Sequence, residues 1–253
     1  MAQFKTNGVI IKSQDYKEND KLLWIFTENL GKITAIAKGA KKNSNKLFPS
    51  SLPLCFGEYV LYKGKSLYTI NEGRIKASFQ GLLDDLEKLT YATYLCELID
   101  ISEMEEEPNW ELFKIFVSAL YFMNSNALDD EMLVRTFELK LLKLTGYGME
   151  LNHCVACKTP LKSSNYINLA YSGGVCDNCR KERGLVVSRG TFNALRFLYN
   201  TTFEKVYRLN LDRKTKDEIE KILSYIIQNS YSRKPKSLEM LTMFKESVKD
   251  DRY

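Results

Sequence analysis

His153-Cys154-Val-Ala-Cys157 and Gly173-Gly-Val-Cys176-Asp-Asn-Cys179 carry two Cys-x-x-Cys pairs with 18 residues between them. Four thiolates in two knuckles can surround one Zn²⁺ tetrahedrally, and a gap of this length reads as a zinc ribbon. With Cys154, Cys157, Cys176 and Cys179 as ligands, no coordination position remains to activate water. Such an ion staples the chain and does not catalyse. Two other readings stand beside zinc: reduced thiols without a metal, and dithiol redox chemistry. Disulfides would need an oxidising compartment. Residues 1–8 show no basic stretch followed by an apolar core, as a secretory signal would, so a cytoplasmic protein is expected. Cys55 and Cys96 stand singly among apolar neighbours and read as core. His153, the single histidine of the chain, is expected at the surface or behind a ligand.

Outward from the cysteines the pattern is helical. Leu82, Leu86, Leu89, Thr93, Cys96 and Ile99 recur at three and four, as do Leu112, Phe116, Leu120 and Met123, and then Leu133, Phe137, Leu141 and Leu144. Each stripe predicts the core face of a helix. Gly146-Tyr-Gly148 ends the third helix. Beyond the ribbon, Ser188 caps a helix bearing Phe192, Leu195 and Leu198. Asp212 opens another with Ile219, Ile222 and Ile226, and Leu238, Leu241, Phe244 and Val248 suggest a last one.

The first third reads as β. Gly8–Lys12, Leu22–Phe26, Ile33–Lys38, Tyr59–Tyr62 and Leu67–Ile70 predict five strands, with a hairpin at Lys63-Gly-Lys65 and a bulge at Glu72-Gly73 before Arg74-Ile-Lys76. Five strands in so short a stretch suggest a small barrel or sandwich. Lys38-Gly-Ala-Lys-Lys-Asn-Ser-Asn-Lys46 predicts a long, flexible, basic loop. The fold class is therefore α+β. The expected organisation is a β domain over 1–79, helices over 80–149, the ribbon over 150–184 as an insertion, and helices again over 185–253.

The net charge is +5, and residues 1–80 hold 13 Lys/Arg against 6 Asp/Glu. All the positive excess thus belongs to the β domain, which suggests a polyanion partner, with a solvated lysine surface as the alternative. The candidate phosphate contacts are Lys12, Lys32, Lys38, Lys41, Lys42, Lys46, Arg74 and Lys76. Tyr16, Tyr59, Tyr62 and Tyr68 are available either to stack on bases or to pack the barrel. The inventory argues against an enzyme: one histidine, no Gly-x-x-x-x-Gly-Lys-Ser/Thr loop, and no dinucleotide fingerprint. The acids at Asp84-Asp85, Glu103–Glu107 and Asp129–Glu131 fall at helix starts and breaks. No small-molecule substrate is indicated. No apolar run approaches the roughly 20 residues that cross a bilayer, so no membrane partner is expected.

The chain resembles the bacterial recombination mediator family RecO. The likeness runs through Gly8-Val-Ile-Ile-Lys-Ser-Gln-Asp-Tyr16, Glu18-Asn-Asp-Lys-Leu22, Thr27-Glu-Asn-Leu-Gly-Lys-Ile33, Ala37-Lys-Gly-Ala-Lys-Lys42, Leu144-Thr-Gly-Tyr147 with Leu151 and the first cysteine pair, Gly173-Gly174 with the second, and Lys236-Ser-Leu-Glu-Met-Leu241. Lys158 departs from the glycine that often follows the second cysteine. The resemblance implies an N-terminal five-stranded OB-fold barrel followed by a mostly helical domain with an inserted four-cysteine zinc ribbon. It implies binding of single- and double-stranded DNA, annealing of complementary strands, and loading of RecA with RecR onto strands coated by single-strand DNA-binding protein. It further implies binding of that coating protein's acidic C-terminal tail, a nucleoid-associated cytoplasmic location, and no cofactor beyond one structural Zn²⁺. The rival reading is a zinc-ribbon scaffold that binds RNA or acidic proteins in transcription or translation.

Overall fold

The computed structural model describes residues 2–180, 184–238 and 240–241. The chain divides into two compact units, Met1–Ser125 with the segment from Pro235 onward, and Asn126–Lys234.

In the first unit five strands close a barrel in the order β1-β2-β3-β5-β4. They are β1 (Gln3–Tyr16), β2 (Asp20–Thr27), β3 (Gly31–Ala37), β4 (Cys55–Lys63) and β5 (Tyr68–Ser78). β3 and β5 pair in parallel and the other neighbours are antiparallel. This is the expected OB-fold barrel. Period-2 alternation fills it: Leu23, Ile25, Ile33, Leu61 and Ile70 point inward, and small Ala35, Ala37 and Ala40 leave room for Tyr59. The predicted hairpin closes with Gly64 N–H donating to the Leu67 carbonyl. The bulge lies beside its expected place: the register skips Asn71 opposite Val60 and Leu61.

The basic connection from Lys38 corrects the expectation of a flexible loop. Gly39 N–H donates to Asp20 Oδ1 at 2.8 Å and Lys41 N–H to the Asn19 carbonyl at 3.0 Å. Successive turns lead to a 3₁₀ turn at Pro49–Ser51, and Ala40, Ser50 and Ser51 are buried. The connection plugs one end of the barrel, because Ala40 supplies core and the backbone finds partners.

Helices α1 (Leu86–Ser102) and α2 (Trp110–Asn124) belong to the same unit. Asp85 accepts from the N–H groups of Glu87 and Lys88, and Asn109 from that of Leu112, so these acids and amides act as N-caps. The predicted α1 stripe needs correction. Leu86 is 61% exposed and Thr93 is exposed, while Tyr91, Tyr94, Leu95 and Leu98 are buried. Burial around a wide arc of α1 erases the simple three-four period. Outside the barrel, Phe26 meets Phe113 and Phe116 edge-on, with ring centroids 5.6 and 6.1 Å apart, so α2 covers that part of β2. The acidic run between α1 and α2 does not merely break the chain. Glu105 bridges Lys32 in parallel, and Glu106 N–H donates to the Lys32 carbonyl. Gly31 permits this: its φ is +69°, and a Cβ there would lie 2.2 Å from the Glu107 carbonyl oxygen. Ser237 N–H and Oγ both donate to the Glu97 carboxylate of α1, at 2.8 and 2.7 Å. Of the last predicted helix, Leu238 and Leu241 are buried, whereas Phe244 and Val248 lie outside the described residues.

The second unit holds α3 (Asp130–Leu144), α4 (Arg189–Asn200) and α5 (Arg213–Ser230), capped by Asp129, Ser188 and Asp212. After α3, Gly146 adopts φ +87° and Tyr147 N–H donates to the Leu142 carbonyl, which closes a Schellman-type end. Between α3 and α4 lies a small sheet ordered β7-β6-β8, from β6 (Tyr166–Asn168), β7 (Gly173–Gly174) and β8 (Leu185–Val186).

Candidate metal centre and nucleic-acid interface

The cysteines converge beside that small sheet. Lys158 N–H donates to the Cys154 carbonyl at 2.9 Å, which tightens the first knuckle. Lys158 itself adopts φ +63°, the left-handed conformation that favours glycine. Val155 N–H donates to the Gly174 carbonyl, and Gly174 N–H to the Glu150 carbonyl, so the first knuckle is stitched to β7. The close approach requires Gly173, whose added Cβ would stand 2.5 Å from the Glu150 carbonyl oxygen. Cys176 N–H donates to Cys154 Sγ at 3.3 Å and joins the knuckles.

All four sulfurs lie within 4.8 Å of one another, and those of Cys157 and Cys176 are 3.6 Å apart. A tetrahedron of sulfurs about 2.3 Å from a central ion has edges of about 3.8 Å, so the donor set fits a four-sulfur metal site. Cys154 is buried and Cys157 exposed. The Thr159 side chain and backbone hold the Cys157 thiol down at about 6. Cys179, hydrogen-bonded to the side chains of Cys157 and Cys176, is pushed up to about 12. Burial opposes ionisation of Cys154, but the N–H groups of Cys157, Cys176 and Ala156 outweigh it and lower its value. Four thiolates cannot gather here without a cation. His153 is absent from the cluster: its Nδ1 lies 3.7 Å from Glu150 Oε1. Cys55 and Cys96 are buried core residues, and burial raises both thiols.

The structure sorts the eight basic candidates. Lys32 is a correction. It is only 7% exposed, and its Nζ donates to the Asp100 carbonyl at 2.5 Å and its carboxylate at 3.2 Å. It anchors the barrel to α1 and does not face solvent. Lys41 is half-buried and pairs with Asp15 at 3.1 Å. Lys38, Lys42 and Lys46 are exposed and form no ion pair among the described residues. Lys12 is exposed on β1, with its Nζ 4.4 Å from the centroid of the Trp24 ring. Arg74 and Lys76 are exposed on β5, and Lys76 donates to Asn7 Oδ1 at 2.5 Å. The acidic run claims one more cation, Lys63, which pairs with Glu106 at 2.5 Å.

The tyrosines divide likewise. Tyr59 is fully buried and its hydroxyl donates to the Ser50 carbonyl at 2.9 Å. Tyr68 is buried too, so neither can stack on a base. Tyr16 and Tyr62 are half-buried. Trp24 is half-buried on the outer side of the barrel, because Leu23 and Ile25 take the inner side, an alternation visible in Leu22-Leu-Trp-Ile-Phe26.

Among the described residues, no helix is long and apolar enough to cross a membrane. Two family models match the chain, "Recombination protein O N terminal" over residues 1–79 and "Recombination protein O C terminal" over residues 83–239. The chain belongs to the RecO family. A DNA repair protein RecO of Clostridium perfringens strain 13 is 61% identical over 246 residues, covering 97% of this chain and all of that one. RecO of Clostridium novyi is 50% identical over 247 residues, covering 98% and 96%. RecO of Acetivibrio thermocellus is 31% identical over 224 residues, covering 88% and 89%. RecO membership supports a role in DNA repair and recombination.

Proposed function

We propose that this chain is a non-enzymatic recombination mediator in the cytoplasm, associated with the nucleoid. It binds single- and double-stranded DNA and anneals complementary strands. With RecR it helps load RecA onto strands coated by single-strand DNA-binding protein, whose acidic C-terminal tail it also binds. The observation that carries the DNA step is the exposed set Lys38, Lys42 and Lys46 on the connection that plugs the barrel. Lys12 on β1, with Arg74 and Lys76 on β5, extends the positive surface. Lysines neutralise phosphates without needing base-specific geometry, and lowered repulsion lets two strands approach and pair. Lys41 contributes less while it pairs with Asp15.

Cys154, Cys157, Cys176 and Cys179 are proposed to hold one Zn²⁺. Four-sulfur tetrahedral sites select zinc or iron–sulfur clusters, and a single ion suits two facing knuckles. The ion neutralises thiolates that would otherwise repel and so joins the two knuckles. The domain scheme that fits this division of labour is a DNA-binding barrel over 1–79 and a ribbon over 150–184, with helical parts over 80–149 and 185–253 available to protein partners.

The test is annealing of two complementary oligonucleotides by purified protein without nucleoside triphosphate, followed by addition of RecR, RecA and coated DNA. Faster annealing, and RecA loading only with RecR, support the reading. Annealing at the spontaneous rate overturns it.

A further inference from the structure

β5 pairs with β3 over Ala35–Ala37 only, so the first half of β3, Gly31–Thr34, has no barrel strand on that side. The acidic connection between α1 and α2, Glu103-Met-Glu-Glu-Glu107, lies along that open edge. Lys32 and Glu105 form a parallel bridge, and Glu106 N–H donates to the Lys32 carbonyl at 2.9 Å. Covering an edge keeps other chains from pairing with it, and backbone bonds alone achieve that. The side chains of this strap go further. Glu105, Glu106 and Glu107 are exposed. The Glu105 carboxylate accepts from Thr34 Oγ1 at 3.0 Å. The Glu106 carboxylate reaches Lys63, at the end of β4, at 2.5 Å. The same ammonium lies 5.6 Å from the centroid of the Tyr68 ring, at the start of β5. Glu106 thus neutralises the cation at the base of the β4–β5 hairpin, while Lys65 near its tip is exposed and forms no ion pair among the described residues. Glu106 also adopts φ +60°, the left-handed conformation that glycine takes without strain. A carboxylate is held at a backbone position that disfavours any side chain.

We propose that this strap is an autoinhibitory contact in which Glu106 competes with nucleic-acid phosphates for Lys63. The proposal rests on the DNA-binding reading above and extends it to a cation that the acidic run holds in reserve. The strap backbone stays in place, because Gly31 admits it against β3 and Lys32 is tied to Asp100 of α1. Only the carboxylate has to move. Both partners of the Lys63–Glu106 pair are 44% exposed, and an exposed ion pair is weak enough for a phosphate to displace it. A strand that takes Lys63 therefore gains one phosphate contact and loses one internal pair, with little net change. Without the Glu106 charge the same contact comes at no loss. The strap thus holds affinity below what the cations of the barrel would otherwise reach. A strap that only covered the edge would act through its backbone, and its charges would leave Lys63 alone.

The experiment is a double-mutant cycle on the full-length protein. Glu106→Gln, Lys63→Gln and the double variant are each titrated with a labelled dT oligonucleotide, read by anisotropy at several salt concentrations. Glu106→Gln should raise affinity about threefold, within the range an exposed pair allows. It should also steepen the slope of log K against log salt by about 0.7, one single-strand phosphate contact. Lys63→Gln alone should change affinity by less than about twofold, and in the double variant it should abolish the gain. Glu106→Asn, which suits the left-handed backbone better, should match Glu106→Gln. Melting temperatures of all variants check folding. If Glu106→Gln raises affinity equally with and without Lys63, the acid acts only through the overall field, and the proposal is overturned while DNA binding stands. An unchanged affinity in Glu106→Gln overturns it too. If neither the parent nor Glu106→Gln binds the oligonucleotide, the DNA-binding reading fails first and takes the strap with it.

Discussion

Cys154→Ser perturbs the metal centre at its least replaceable point. Cys154 is fully buried, and its sulfur accepts the Cys176 N–H that joins the knuckles. A serine oxygen is a poorer zinc ligand on a shorter bond. Structural Zn²⁺ in small modules contributes about 10–16 kcal/mol at neutral pH, so a quarter share per ligand is about 2.5–4 kcal/mol. Each 1.4 kcal/mol is tenfold, so zinc affinity should fall by roughly 100- to 1,000-fold. Secondary structure around the site is scant, with β6, β7 and β8 of three, two and two residues. Without the ion, 150–186 should open locally. The assay is competition for zinc against a chromophoric chelator, with limited proteolysis to locate the opened segment. Cutting between about 150 and 186, with the barrel still protected, is expected. A variant that keeps one zinc at parental affinity, or an unchanged cleavage pattern, refutes the four-cysteine site. Acid should act in the same direction. Protons compete with zinc for the four sulfurs, so affinity should fall as pH falls.

Lys158→Gly should raise stability of the second unit by about 1 kcal/mol, because a left-handed residue gains from losing its Cβ; urea unfolding read with a ribbon-specific probe measures it. Glu97→Ala should cost about 1.5–3 kcal/mol through the two bonds from Ser237, and hydrogen exchange should show lost protection around 237–241. Lys32→Ala should destabilise the first unit by about 2–3 kcal/mol, removing the buried ammonium's bonds to the Asp100 carbonyl and carboxylate, yet leave the salt slope of DNA binding unchanged. A flattened slope would return Lys32 to the interface.

Legibility in the sequence followed the range of the interaction. The five strands, the helix starts at Asp129, Ser188 and Asp212, and the glycine after α3 are local signals, and each lies where the pattern placed it, with the strands running longer than their apolar runs. The cysteine cluster was legible too, because spacing and ligand chemistry restrict it so tightly. Contacts between distant segments were not. Nothing near Lys32 in the chain announces Asp100, which lies 68 positions away. The acidic run at 103–107 read as a solvated break, although it lines β3 and holds Lys63. Tyr59 and Tyr68 could equally stack or pack by their position in the sequence, and closure of the barrel turns both inward. The α1 stripe failed for a related reason: burial on several sides leaves no single periodic face.

The most direct test of DNA binding by the plugged end of the barrel is a salt titration of single-strand affinity by anisotropy. It compares the parent with a triple variant, Lys38→Gln, Lys42→Gln and Lys46→Gln. Each phosphate contact on a single strand contributes about 0.7 to the slope of log K against log salt. The account predicts steep salt dependence in the parent and a slope shallower by about 2 in the variant, at unchanged melting temperature. Equal slopes would contradict it.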